Sequence, residues 1–166
     1  MQGKSITPCL WFNGQAEEAA KFYTSVFKNS KIDGMSRYGK EGYEVHGQKE
    51  GTVMTVDFEL NGQHFTALNG GPDFTFSEAI SFQVFCETQD EIDYYWNKLT
   101  ANGGEESVCG WLKDKFGLSW QIVPTILPEL MKDVAKAGKV MTAFMQMKKL
   151  DIEKLKEAAH EPATII

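Results

Sequence analysis

Three histidines, three cysteines and one amide in an apolar strand are the residues of this chain whose types could do chemistry. His46 falls in a polar stretch, His64 at the start of a hairpin strand and His160 in the tail. Imidazoles hold a metal or relay a proton only where they converge, and these three read as solvated surface groups, although His46 could swing in on its loop. Cys9, Cys86 and Cys109 are odd in number, widely spaced and without a C-x-x-C pair, which suggests neither a disulfide framework nor a thiolate zinc site. Two of them lie in strand-like apolar runs, and they read as small buried hydrophobes. The amide is Gln121, set among Trp120, Ile122 and Val123 in "KFGLSWQIVP", residues 115–124. An amide there must find hydrogen-bond partners or cost about 1–3 kcal/mol, so Gln121 is either a pinned core amide or the wall of a cavity.

The elements that position these groups come in a repeated order. "ITPCLWF" is rich in β-formers, with Pro8 pointing to a sheet edge. A turn at Asn13-Gly14 leads into a helix that places Ala19, Phe22, Tyr23 and Val26 on one face. "KIDGMSRY" predicts a second strand, and "GKEGYEVHGQKEG" a mobile polar loop without periodicity. Met54, Val56, Phe58 and Leu60 then alternate up to Asn61-Gly62, and the pattern resumes from Phe65 to Leu68, a hairpin with a tight primed turn.

After "NGGPDFTFSEA" the order begins again with "ISFQVFC" and a helix ended by Gly103-Gly104. Ile92, Tyr95, Trp96 and Leu99 repeat the first helix's apolar face 73 residues on, and Gln89 follows Gln15 by 74. A second hairpin, "SVCGWLK" to "LSWQIVP", turns through 114–117. Lys113 and Asp114 beside Trp111 could supply charge at a cleft mouth, although a hairpin turn alone accounts for "KDKFG". The fold class is therefore α+β, two βαβββ modules at about 5–70 and 78–124 forming curved mixed sheets. They sit in a single domain of 1–150 that includes a helical extension over 125–150, and a helical tail follows over 151–166. Each module leaves an open sheet face, so two modules, in one chain or across a dimer, would enclose a cleft of the kind ligands favour. The extension breaks near Gly138 and again before Asp151, a plausible N-cap, and its methionines suit packing against the domain or a subunit interface.

Bulk properties narrow the partners. With 166 residues, 42% hydrophobic and 24% charged, the chain can bury a sizeable core. A net charge of -6 without a clustered basic face disfavours nucleic acid and anionic membranes. No apolar run reaches the roughly 18 residues of a membrane helix, and Met1 to Ser5 is too short and polar for a secretory signal, so a cytoplasmic location is expected.

The phrases "PCLWFNGQAEEAAKFYTSVF", "AISFQVFCETQDEIDYYWNKL" and "GWLKDKFGLSWQIVP" resemble the PhnB-like branch of the vicinal oxygen chelate superfamily, with glyoxalase I, bleomycin-resistance proteins and extradiol dioxygenases. The resemblance covers residues 6 to about 150. It implies paired βαβββ modules, a homodimer and, in the superfamily's enzymes, a divalent metal on four side chains from the first and last strand of each module. Those positions fall on or within a residue of Thr7, Ala67, Ser81 and Gln121, none of them His, Glu or Asp. The expectation is a pocket with no metal and no cofactor, lined by Thr7, Trp11, Ala67 and Asn69 from the first module. Ser81, Gln83, Trp111 and Gln121 line it from the second, and no catalytic residue is assigned.

Proteins of this branch are also named 3-demethylubiquinone 3-methyltransferases. Methyl transfer would need a glycine-rich strand-to-helix turn, and "NGGPDF" carries Pro72 and no following helical pattern. The reading is a small-molecule-binding homodimer. Two alternatives stay open: an enzyme with a metal site rearranged onto Glu59, Asp57 or His64, and a structural or partner-binding dimer with a filled core.

Overall fold

The computed structural model describes residues 6–160. It divides into two compact units, the first ending at Phe76 and the second beginning at Ser77. The first unit runs β1 (Cys9–Phe12), α1 (Ala16–Val26), β2 (Lys31–Arg37), α2 (Tyr43–His46), β3 (Val53–Leu60) and β4 (Gln63–Asn69). Its sheet has the order β1-β4-β3-β2, with β1 parallel to β4 at one edge and the other pairs antiparallel. Alternation puts Val56, Phe58, Leu60, Phe65 and Ala67 on one buried face, against which α1 buries Ala16, Ala19, Ala20, Tyr23 and Val26. The β3–β4 turn has Asn61 and Gly62 both at positive φ, 47° and 87°, the geometry of a primed hairpin turn.

One side chain fastens this helix to its sheet. Gln15 caps α1 without a side-chain bond, and the missing partner comes from β4. Asn69 Oδ1 accepts from the Ala16 amide at 2.9 Å, while its Nδ2 donates to the Val53 carbonyl at 3.0 Å. Both ends of a buried amide are thereby satisfied.

The second unit repeats the order with β5 (Phe82–Cys86), α3 (Gln89–Thr100), β6 (Glu105–Glu106), β7 (Trp111–Lys113) and β8 (Ser119–Pro124) in a sheet ordered β5-β8-β7-β6. Helix α3 starts with a capping box, Thr88 and Glu91 each bonding the other's backbone amide. It buries Ile92, Trp96 and Leu99 in the unit whose sheet buries Cys86, Leu112, Trp120 and Ile122. The β7–β8 turn is built on Asp114, 2% exposed, whose carboxylate accepts from the amides of Phe116 and Leu118 and from Trp120 Nε1 at 2.8–3.1 Å. Asp114 is thus a turn anchor.

Three helices close the second unit: α4 (Leu127–Lys132), α5 (Val134–Met145) and α6 (Ile152–His160). Val140, Leu155 and Ala159 form their core, with Met131 and Met147 packed against it and Met141 and Met145 left exposed. Asp151 caps α6 through the Lys154 amide. Residues 161–166 of the expected tail lie outside the described residues.

Three expectations need correction. Helix α5 runs straight through Gly138, because burial of Val140 outweighs the ~1 kcal/mol a helical glycine costs; the break falls at Asp133, which caps α5 through the Ala135 amide. The 39–51 loop holds one helical turn, α2, between Gly42 and Gly47 at positive φ, with the half-buried His46 ring 4.5 Å from that of Tyr38. A single turn is too short to show periodicity. Of the cysteines only Cys86 is buried: Cys109 is half-buried, and Cys9 is exposed on the face of β1 turned away from α1.

Replacing Asn69 with Ala strands the Ala16 amide and should lower stability by about 1–3 kcal/mol in urea unfolding. Burial pushes the Cys86 thiol up to about 12, helped by Glu91, so at pH 8 it is a neutral thiol. Iodoacetamide should leave Cys86 unmodified in the native protein and label it once urea unfolds the chain, as peptide mass mapping would show.

Candidate functional site

In the second unit, the face turned away from α3 gathers the polar groups. Strand pairing aligns Gln83, Gln121 and Trp111 in one row across β5, β8 and β7. The next row holds Ser119, Lys113 and Glu105 across β8, β7 and β6, with Ser81 just before β5. Gln121, half-buried, donates from Nε2 to Ser81 Oγ at 2.8 Å and accepts at Oε1 from Gln83 Nε2 at 3.3 Å. The amide is therefore pinned, and it is pinned away from the α3 side. Of the eight expected site residues, these three and Trp111 share one sheet face.

Beside this chain lies Ser119, 1% exposed, whose Oγ has no hydrogen-bond partner among the described residues. It borders a cavity of about 470 Å³ together with Trp111, Lys113, Glu105, Val108 and Cys109. Lys113 Nζ pairs with Glu78 at 2.5 Å, an ion pair that raises the lysine's pKa and lowers the glutamate's. Ser119 was absent from the expected set, although its place two residues before Gln121 puts both on one strand face.

In the first unit the expected residues do not share a face. Thr7 is exposed ahead of β1. Trp11 lies across Gly70, where a Cβ would collide with ring carbons; its Nε1 donates to the Gly71 carbonyl at 2.9 Å, and Phe74 packs edge-on at 5.0 Å. Gly70 thus accommodates an indole that the Gly71 carbonyl holds, and the chain from there to β5 contains no helix. Ala67 is fully buried on the α1 face and Asn69 is the cap described above, so both sit opposite Trp11; Thr66 and Leu68 take the other side.

That other side of the first sheet carries a charged group. Ligand atoms of Asp33, Glu59 and His64 all lie within 4.8 Å of one another. Lys31 Nζ joins them, 2.8 Å from Asp33 Oδ1 and 3.7 Å from Glu59 Oε2. His64 thus comes together with carboxylates, through strand pairing of β4 with β3 and of β3 with β2.

The superfamily's metal can be tested against the donors at its expected positions. Thr7, Ser81 and Gln121 offer neutral oxygens, Ala67 offers none, and Gln121 Oε1 already accepts from Gln83. Divalent Zn, Fe or Mn sites need imidazole or carboxylate donors. The set does not fit such an ion, and no step is derived through one.

A family model described as 3-demethylubiquinone-9 3-methyltransferase matches residues 4–123. Among solved structures, the PhnB protein of Bacillus cereus is 41% identical over 74% of this chain and all of that one, with a TM-score of 0.64. A Pseudomonas aeruginosa protein, 17% identical, aligns over 74% of this chain and 98% of its own at a TM-score of 0.57. The fosfomycin resistance protein FosX of Mesorhizobium loti, 11% identical, aligns over 80% and 99% at 0.55; at these identities the likeness is one of fold. A comparison with curated proteins finds no match. Doubled βαβββ order, the matched family model and the PhnB identity converge, and the chain belongs to the 3-demethylubiquinone-9 3-methyltransferase family, a PhnB-like member of the vicinal oxygen chelate superfamily.

Proposed function

We propose that this protein binds a small, partly apolar molecule on the face of its second sheet turned away from α3, through neutral hydrogen bonds and without a metal. The observation that carries the reading is the Ser119 hydroxyl, buried and unpartnered at the wall of a cavity whose volume falls in the range of small-molecule sites. The Ser81–Gln121–Gln83 chain beside it supplies oriented polar groups, and Trp111 the apolar surface. Methyl transfer, which the family's name suggests, lacks support in the chain: Gly70 makes room for Trp11, the Gly71 carbonyl accepts its indole N–H, and the pair leads into no helix that could cradle a nucleoside cofactor.

The working form we propose is a cytoplasmic homodimer. Phe85, 56% exposed on the same face as Gln83, offers apolar surface to a second copy. Among the described residues, no helix is long and apolar enough to cross a membrane.

Native mass spectrometry of gently purified protein should show a dimer carrying a retained organic molecule. In a Gln121→Leu variant that molecule should be lost while the melting temperature stays within a few degrees. Unchanged retention would refute the pocket role of Gln121, and a large drop in melting temperature with retention intact would return it to the structural framework.

A second reading is favoured by one observation, the convergence of Asp33, Glu59 and His64. On that reading a divalent ion displaces the exposed Lys31 ammonium and binds one imidazole and two carboxylates. Titration with Mn²⁺ or Zn²⁺ followed by calorimetry should then give a one-to-one isotherm that His64→Ala weakens at least about tenfold; no measurable heat on titration discards the reading.

A further inference from the structure

Resting on the reading of the second sheet's face as a binding site, we infer the class of its ligand: a small organic cation, an ammonium joined by an apolar body to a hydroxyl or carbonyl. Three carboxylates border the cavity, Glu78, Glu105 and Glu106, against one ammonium, Lys113. Lys113 is held by Glu78, and Glu106 accepts from Trp96 Nε1 at 2.8 Å with Lys148 at 4.0 Å. Glu105 is left facing Lys113 across the β6–β7 pair, exposed and without a salt bridge of its own among the described residues.

An anionic ligand would have to pull Lys113 from Glu78 and then sit beside two further carboxylates. A cation meets the opposite field: its ammonium pairs with Glu105 and leaves the Lys113–Glu78 bridge intact. The far end of the ligand is set by the sheet. Ser119, Lys113 and Glu105 occupy one row on three adjacent strands, so Ser119 and Glu105 stand two strand spacings apart, about 10 Å, with Lys113 on the strand between them. On the wall of the same cavity, Trp111 and the exposed Val108 offer the surface for an apolar body, and an indole face also attracts a cation.

Tyramine, with an ammonium and a hydroxyl at opposite ends of an aromatic ring, is a suitable probe. Its controls are tyrosol, which is neutral, and 3-(4-hydroxyphenyl)propionate, which is anionic. Titrations of the intact protein by heteronuclear NMR should show tyramine binding at least about tenfold more tightly than the anion, with shifts centred on Trp111 and Ser119. In Glu105→Gln the affinity for tyramine should fall to that for tyrosol, which itself stays unchanged. Ser119→Ala should weaken tyramine and tyrosol alike by about threefold or more without lowering the melting temperature, because the hydroxyl it removes has no partner in the free protein. Equal affinity for the three probes, preference for the anion, or a Glu105→Gln variant that binds tyramine normally would overturn the cation inference and leave the binding face standing. Binding of none of the three would overturn both.

Discussion

A β-sheet has two faces, and a single helix covers only one. That constraint shapes each unit of this protein. In both, strand alternation delivers an apolar face to α1 or α3, and the opposite face must carry residues that tolerate solvent or await something else. The first sheet answers with charge, placing Asp33, Glu59, His64 and Lys31 together. The second answers with neutral amides and hydroxyls around Trp111. Two units of the same topology have thus been given different open faces, and the chemistry available to each follows from that difference.

The covered faces are held by a few polar side chains placed where backbone groups would otherwise be orphaned. Asn69 reaches from β4 to the first amide of α1, and Asp114 collects three N–H donors at the β7–β8 turn. Gln89 ties the C-terminal helices to α3 by donating to the Leu150 carbonyl and accepting from the Ile152 amide. Such groups are conspicuous in sequence and look catalytic, yet the hydrogen bonds they make here tie segments of the fold together. Ser119 is the inverse case: a serine outside the expected site set whose hydroxyl is buried and, among the described residues, unmet. Desolvating a hydroxyl without a partner costs free energy, and a molecule that restores the bond recovers it.

The metal chemistry that the resemblance implies needs charged or imidazole donors on the first and last strand of each module, and at those positions this chain has hydroxyls, an amide and a methyl group. Gln121 shows what such a position can still do. An amide carries both a donor and an acceptor, so it can orient Ser81 and Gln83 on either side and present a defined pattern without any net charge. Charge enters only at the rim, through Glu105 and the Lys113–Glu78 pair.

Much of the fold was legible in the chain itself. The alternation of Met54 to Leu60, the Asn61-Gly62 turn, the matching apolar stripes of α1 and α3, the Asp151 cap and the doubled βαβββ order are local patterns, set by side-chain periodicity and turn chemistry that need no distant contact. The same alternation puts Ser119, Gln121 and Val123 on one face, and Ser81, Gln83 and Phe85 on another strand's matching face. What the tertiary structure decided was register and partnership. Which residue of β8 stands opposite which residue of β5 and β7, whether Asn69 meets a helix amide or a cavity, that Gly70 exists to admit an indole, and that His64 meets Asp33 and Glu59 all depend on segments far apart in the chain. Periodicity assigns a side chain to a face, but only strand pairing fixes its neighbours, and it is the neighbours that make a polar residue a structural pin or part of a site.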